Sequence, residues 1–88
     1  MGDIMENKLL INVYIPTMEK DYDLFIPINK KVGIVKQLII NSIVDLTYGI
    51  YKPNDKLELY IRSNGKKLDN SAFVKESNIS NGEKLILY

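Results

Sequence analysis

Apolar residues alternate with polar ones twice near the start of the chain, recur every three or four residues in the middle, and alternate again at the end. Residues 8–15 read as a strand, with Leu9, Ile11, Val13 and Ile15 on one face and Lys8, Leu10, Asn12 and Tyr14 on the other. Pro16 ends it, and the polar stretch 17–21 is short enough for a hairpin turn. A second strand over 22–28 adds Leu24, Ile26 and Ile28 to the inner set. Pro27 cannot donate a ladder hydrogen bond, so this strand lies at an edge or is ending there. Over 32–46 the period changes. Val32, Val35, Ile39, Ile43 and Leu46 share one helical face, with Lys36, Gln37, Asn41 and Asp45 largely off it. Gly49 is the expected left-handed residue after the helix, Ile50 is expected to pack back, and Pro53 forbids continuation. The start of the helix is poor. Lys30 and Lys31 sit near the positive end of its dipole, Asp45 near the negative end, and β-branched residues lower the propensity. Burial must hold this helix.

After a connection over 47–55, residues 57–62 form a third strand with Leu57, Leu59 and Ile61 inward. Asn64-Gly65 marks a tight turn over 63–66, because both residues tolerate positive φ. Residues 67–68 are at most a short fourth strand. The loop 69–78 has room for a helical turn and offers Phe73 and Val74 to the core. The last strand is expected over 84–88, with Leu85 and Leu87 inward. One helix between hairpin-like pairs covers one face of one mixed sheet. The fold class is α+β, a β-grasp, with strand order second, first, fifth, third, fourth.

At 88 residues this is one domain. We expect a disordered segment over 1–7 and a folded domain over 8–88. The net charge is +1, which gives no electrostatic case for nucleic acid. The chain contains neither Cys nor His. It therefore lacks a thiol nucleophile, disulfides, and the commonest metal ligand and general base. No cofactor is expected. No run approaches the ~18 apolar residues of a membrane span. The first seven residues do not form a signal peptide, and Glu6 stands where myristoylation wants Ser or Thr. The expectation is a cytoplasmic protein.

From Asp21 onward the pattern resembles ubiquitin. Val32, Val35 and Ile39 match the inward residues of its helix. Ile61 followed by Asn64-Gly65-Lys66-Lys67-Leu68 matches its third strand and turn, and Val74, Asn78-Ile79, Leu85 and Leu87 match its late loop and last strand. The motifs are core pattern, not chemistry. Two departures stand out. The chain stops at Tyr88 without a terminal Gly-Gly, so neither conjugation nor sulfur carriage is expected of it. Tyr60 or Arg62 also takes the place of ubiquitin's exposed isoleucine, so ubiquitin readers are not expected to bind. Within the superfamily, Ile79-Ser80-Asn81-Gly82-Glu83-Lys84-Leu85-Ile86-Leu87 and Tyr22-Asp23-Leu24 resemble the YukD-like group encoded with type VII secretion systems of Gram-positive bacteria. That resemblance implies a cytoplasmic accessory or regulatory factor. The alternatives are a small modifier or sulfur carrier, and a regulatory β-grasp domain unrelated to secretion.

Candidate chemistry is thin. Asp21 and Asp23 share a strand face but read as solvated charge, as do Lys30-Lys31 and Lys66-Lys67. An enzyme is not expected. The outward residues of the strands are more informative. Leu10, Tyr14, Phe25, Tyr60, Arg62, Ile86 and Tyr88 should lie side by side on the face opposite the helix. Tyr and Arg are the side chains that dominate binding hot spots. This face is the expected protein interface, for a component of the secretion machinery or for a second copy of the chain.

Overall fold

Alternation builds the first hairpin in the computed structural model of the protein, which describes residues 7–88. β1 (Lys8–Ile15) pairs antiparallel with β2 (Lys20–Pro27), placing Leu9 opposite Ile26 and Ile11 opposite Leu24. Most of the segment expected to be disordered, 1–6, lies outside the described residues. Asn7 prolongs the hairpin, its carbonyl accepting from the Ile28 N–H at 3.0 Å. β2 starts two residues before the expected 22 because Glu19 adopts φ 53° and closes the turn early. The Ile28–Asn7 bond also sets the parity of the ladder. Ile26, Leu24 and Tyr22 bond to β1, whereas Phe25, Asp23 and Asp21 aim their backbone groups at the open edge. Pro27 shares that outer parity, so its missing N–H leaves no gap in the ladder.

β4 (Glu83–Leu87) lies parallel to β1 and antiparallel to β3 (Leu59–Ile61), giving the order β2-β1-β4-β3. The expected fourth strand is only a bridge between Tyr60 and Lys67. The third is shorter than 57–62, although Glu58 and Tyr88 still exchange two backbone bonds of 3.0 Å. The order and the single covering helix make the α+β β-grasp arrangement.

α1 (Val32–Leu46) has the expected bounds. Val32, Val35, Ile39, Ile40 and Ile43 are buried against Ile11, Val13, Ile15, Leu85 and Leu87. Leu46 has the phase of their face but is 54% exposed, while its neighbour Thr47 is buried. The stop also differs in detail. Gly49 is left-handed as expected, at φ 79°, but Tyr48 before it is left-handed too, at φ 54°, and takes the first position after the cap. Gly49 follows it, its N–H donating to the Val44 carbonyl at 2.8 Å, while the Tyr48 N–H donates to Asp45 at 3.1 Å. This is a Schellman closure. Ile50 does not pack back and is 71% exposed. Tyr51 is buried in its stead, tied by its N–H to Thr47 Oγ1 at 3.1 Å.

The poor helix start is remedied by another part of the chain. No side chain caps the helix at Lys31. The N–H groups of Val32 and Gly33 donate to the carbonyls of Ala72 and Asn70 at 2.8 and 3.0 Å. Gly33 permits this approach, since a Cβ there would lie 3.3 Å from the Asn70 oxygen. The loop then runs into a single 3₁₀ turn, Val74–Glu76, with Val74 buried and Phe73, expected in the core, left at the surface. Glu58 binds the assembly together, accepting from Asn70 Nδ2 at 3.0 Å and from Lys36 Nζ at 3.1 Å. The Asn70 hydrogen bond, then Lys36, hold its carboxyl below the usual carboxylate range.

Two outcomes follow. Ile39→Ala opens a cavity between α1 and the sheet and should lower the unfolding free energy by ~2–5 kcal/mol in urea titration. Because the Glu58 pKa is depressed in the folded state, its stabilisation is complete above the unfolded-state value and is lost as pH falls through the folded one. Glu58→Gln should therefore flatten the acid limb of the melting temperature against pH, leaving its loss of stability most visible near neutrality. An unchanged acid limb would refute that assignment.

Candidate protein interface on the open sheet face

The face away from α1 is built by register. Tyr14 stands opposite Asp21 on β2 and beside Ile86 on β4, and Ile86 stands opposite Tyr60 on β3. One strand step along, Asn12 lies between Asp23 and Lys84. Beside them, the Arg62 N–H donates to the Lys84 carbonyl at 2.9 Å. A further step brings Leu10 opposite Phe25. The face thus consists of an aromatic–aliphatic row, a polar row and a small apolar row.

This arrangement joins some of the expected residues and separates others. Tyr14, Tyr60, Ile86 and Tyr88 belong together. Tyr60 and Tyr88 meet edge-on with ring centroids 5.6 Å apart. Arg62 covers the Tyr14 ring, its guanidinium carbon 5.0 Å from the centroid. Pro16, Tyr60, Gly65, Ile86 and Tyr88 line a shallow hollow of about 300 Å³. Leu10 and Phe25 are cut off from this group by the polar row. Asn12 dominates that row, its Nδ2 donating at 2.9 Å to both Asp21 Oδ2 and Asp23 Oδ1. One donor group thereby holds two carboxylates side by side on the β2 flank.

Sequence reasoning did not include Asp21, Asp23 and Lys84 in this face, although their parity with Asn12 and Tyr14 was readable. It also overlooked a second exposed apolar set where the helix ends. Leu46, Tyr48 and Ile50 all point into solvent there, Tyr48 at 94% exposure. Among the described residues no group of three or more His, Cys, Asp or Glu is placed to hold a metal ion. No helix there is long and apolar enough to cross a membrane.

No protein-family model matches the chain, and no curated protein sequence matches it. Solved structures do. The ubiquitin-like domain of the Arabidopsis thaliana protein At2g32350 superposes with a TM-score of 0.67 at 20% identity, over 93% of this chain and 77% of that one. The fold is ubiquitin-like. A chain of the toluene 4-monooxygenase HD complex with the inhibitor 4-bromobenzoate gives 0.75 at 8% identity, over 91% of this chain and 95% of that one. A chain of the MycP5-free ESX-5 inner membrane complex gives 0.73 at 12% identity. That match covers 93% of this chain but 21% of the other. At such identities the likeness concerns fold alone.

The edge-on pair makes a prediction about this face of the ubiquitin-like fold. Tyr60→Ser should lower the unfolding free energy by ~1 kcal/mol, and Tyr60→Phe should retain most of that amount, because the ring and not the hydroxyl meets Tyr88. Denaturant titration of the two variants checks it.

Proposed function

We propose that this chain is a non-enzymatic, ubiquitin-like interaction protein, accessory to a type VII secretion machine, and that it works through the open sheet face. The observation that carries the reading is the row of Tyr14, Ile86, Tyr60 and Tyr88, with Arg62 beside it, left uncovered on a sheet whose other side is closed by α1. Large aromatic side chains flanked by an arginine suit a partner protein better than bare solvent. A chain without Cys or His is poorly equipped for nucleophilic or acid–base catalysis.

Two observations favour secretion. One is the closing stretch from Ile79 to Leu87, which resembles the YukD-like group. The other is that a β-grasp of this shape recurs within a much longer chain of the ESX-5 inner membrane complex. The likeness to a chain of the toluene 4-monooxygenase complex favours a second reading, a β-grasp subunit of an assembly unrelated to secretion.

Affinity capture from the native host separates the two. Wild-type protein should recover secretion ATPase and membrane components. The double variant Tyr60→Ser, Tyr88→Ser, verified as folded by circular dichroism, should lose them by tenfold or more. Recovery of an enzyme complex without secretion components would support the second reading. Equal recovery by wild type and variant would remove the sheet face from either.

A further inference from the structure

The open sheet face is electrically lopsided. Its β2 flank carries Asp21 and Asp23, and its β4–β3 flank carries Lys84 and Arg62. None of these four charges has an ion-pair partner among the described residues. Both flanks are nevertheless held in place. Asn12 pins the two carboxylates, and the Arg62 guanidinium reaches inward from the far side to lie over the Tyr14 ring of β1. Tyr14 and Ile86 lie between the flanks, on the two central strands.

We propose that the occupant of this face is a second copy of the chain, related by a two-fold axis that runs along the strands between β1 and β4. The proposal rests on the reading of this face as an interface and goes further by naming what covers it. A rotation about that axis exchanges the two flanks. It brings the acidic β2 flank of each copy, with Asp23, over the Lys84 and Arg62 side of the other. The contact is isologous, so it closes as a dimer. An axis across the strands would instead bring acid onto acid and base onto base. The charge pattern therefore selects the axis as well as the partner.

The face is small. Four strands about 4.8 Å apart and three rows of side chains cover a few hundred Å² per copy, less than the ~800 Å² per partner of a standard interface. The dimer is accordingly weak. It weakens further as salt screens its charge pairs.

Charge reversal tests this arrangement by sedimentation equilibrium up to ~1 mM protein. Wild type should dimerise, less tightly at high salt. Asp23→Arg alone and Arg62→Asp alone should each weaken self-association by at least tenfold, since each puts like charges together twice. An equimolar mixture of the two should associate again, because both charge pairs are restored in the mixed dimer. That recovery also excludes misfolding of either variant. Asp23→Arg combined with Arg62→Asp in one chain should dimerise like wild type, because both charge pairs are restored with their signs exchanged. A monomeric wild type, undiminished association of the single variants, or no recovery on mixing would each overturn the proposal. If wild type is monomeric but Tyr60→Ser, Tyr88→Ser still loses captured partners, the dimer falls and the binding role of the face stands.

Discussion

The parallel pairing of β1 with β4 is the constraint on which the rest of the structure depends. Ile11, Val13 and Leu85 on these two strands are fully buried, and the strands come from opposite ends of the described chain. Parallel neighbours cannot be joined by a tight turn, so the chain must cross over before it returns. α1 makes part of that crossing and closes the sheet as it does so. A helix with such a poor start could not stand alone, but it does not need to. The returning loop donates the carbonyls of Ala72 and Asn70 to its first N–H groups, and Glu58 fastens that loop to Lys36. Helix, loop and central strands are thus mutually dependent, as expected of a domain too small for a redundant core.

The same constraint explains why the closing motif speaks so clearly of fold and so little of function. Asn81 Oδ1 accepts the Leu10 N–H at 2.8 Å, and the Gly82 N–H donates to the Leu10 carbonyl at 2.7 Å. Gly82 adopts φ 86° to do so. Glu83 accepts from the Ser80 N–H through its side chain and donates its own N–H back to the Ser80 carbonyl. Asn, Gly and the acidic residue are the parts that start a last strand parallel to the first. Any β-grasp domain with this crossover has use for them, whatever it binds.

Legibility in the sequence followed the range of the interactions involved. The helix bounds, the first strand and the edge position of β2 were readable because they depend on periodicity and on Pro27. Errors arose where distant geometry decides. Leu46 has the right phase for burial, yet Thr47 beside it is the residue buried at the end of the helix. Ile50 and Tyr51 compete for one place in the core, and the Schellman closure at Tyr48 gives it to Tyr51. The open face was legible as a list of outward residues but not as a pattern. Only the register shows that Asn12 falls between Asp23 and Lys84, dividing the apolar residues and aligning the charges across the strands.

Two routes to association are open to a sheet of this kind, along its edge and over its face. On β2 the outward backbone groups belong to Asp21, Asp23, Phe25 and Pro27. Pro27 removes a donor from that edge, and an incoming strand would have to approach alongside two carboxylates that Asn12 holds in place. These are the devices by which natural sheets discourage edge pairing. The aspartates that guard the edge also charge one flank of the face, where Lys84 and Arg62 offer them complements across the strands. Under the proposed dimer, discouraging one route and orienting the other fall to the same residues. A substitution at Asp23 cannot be neutral for both, because removing its charge opens the edge while it unbalances the face.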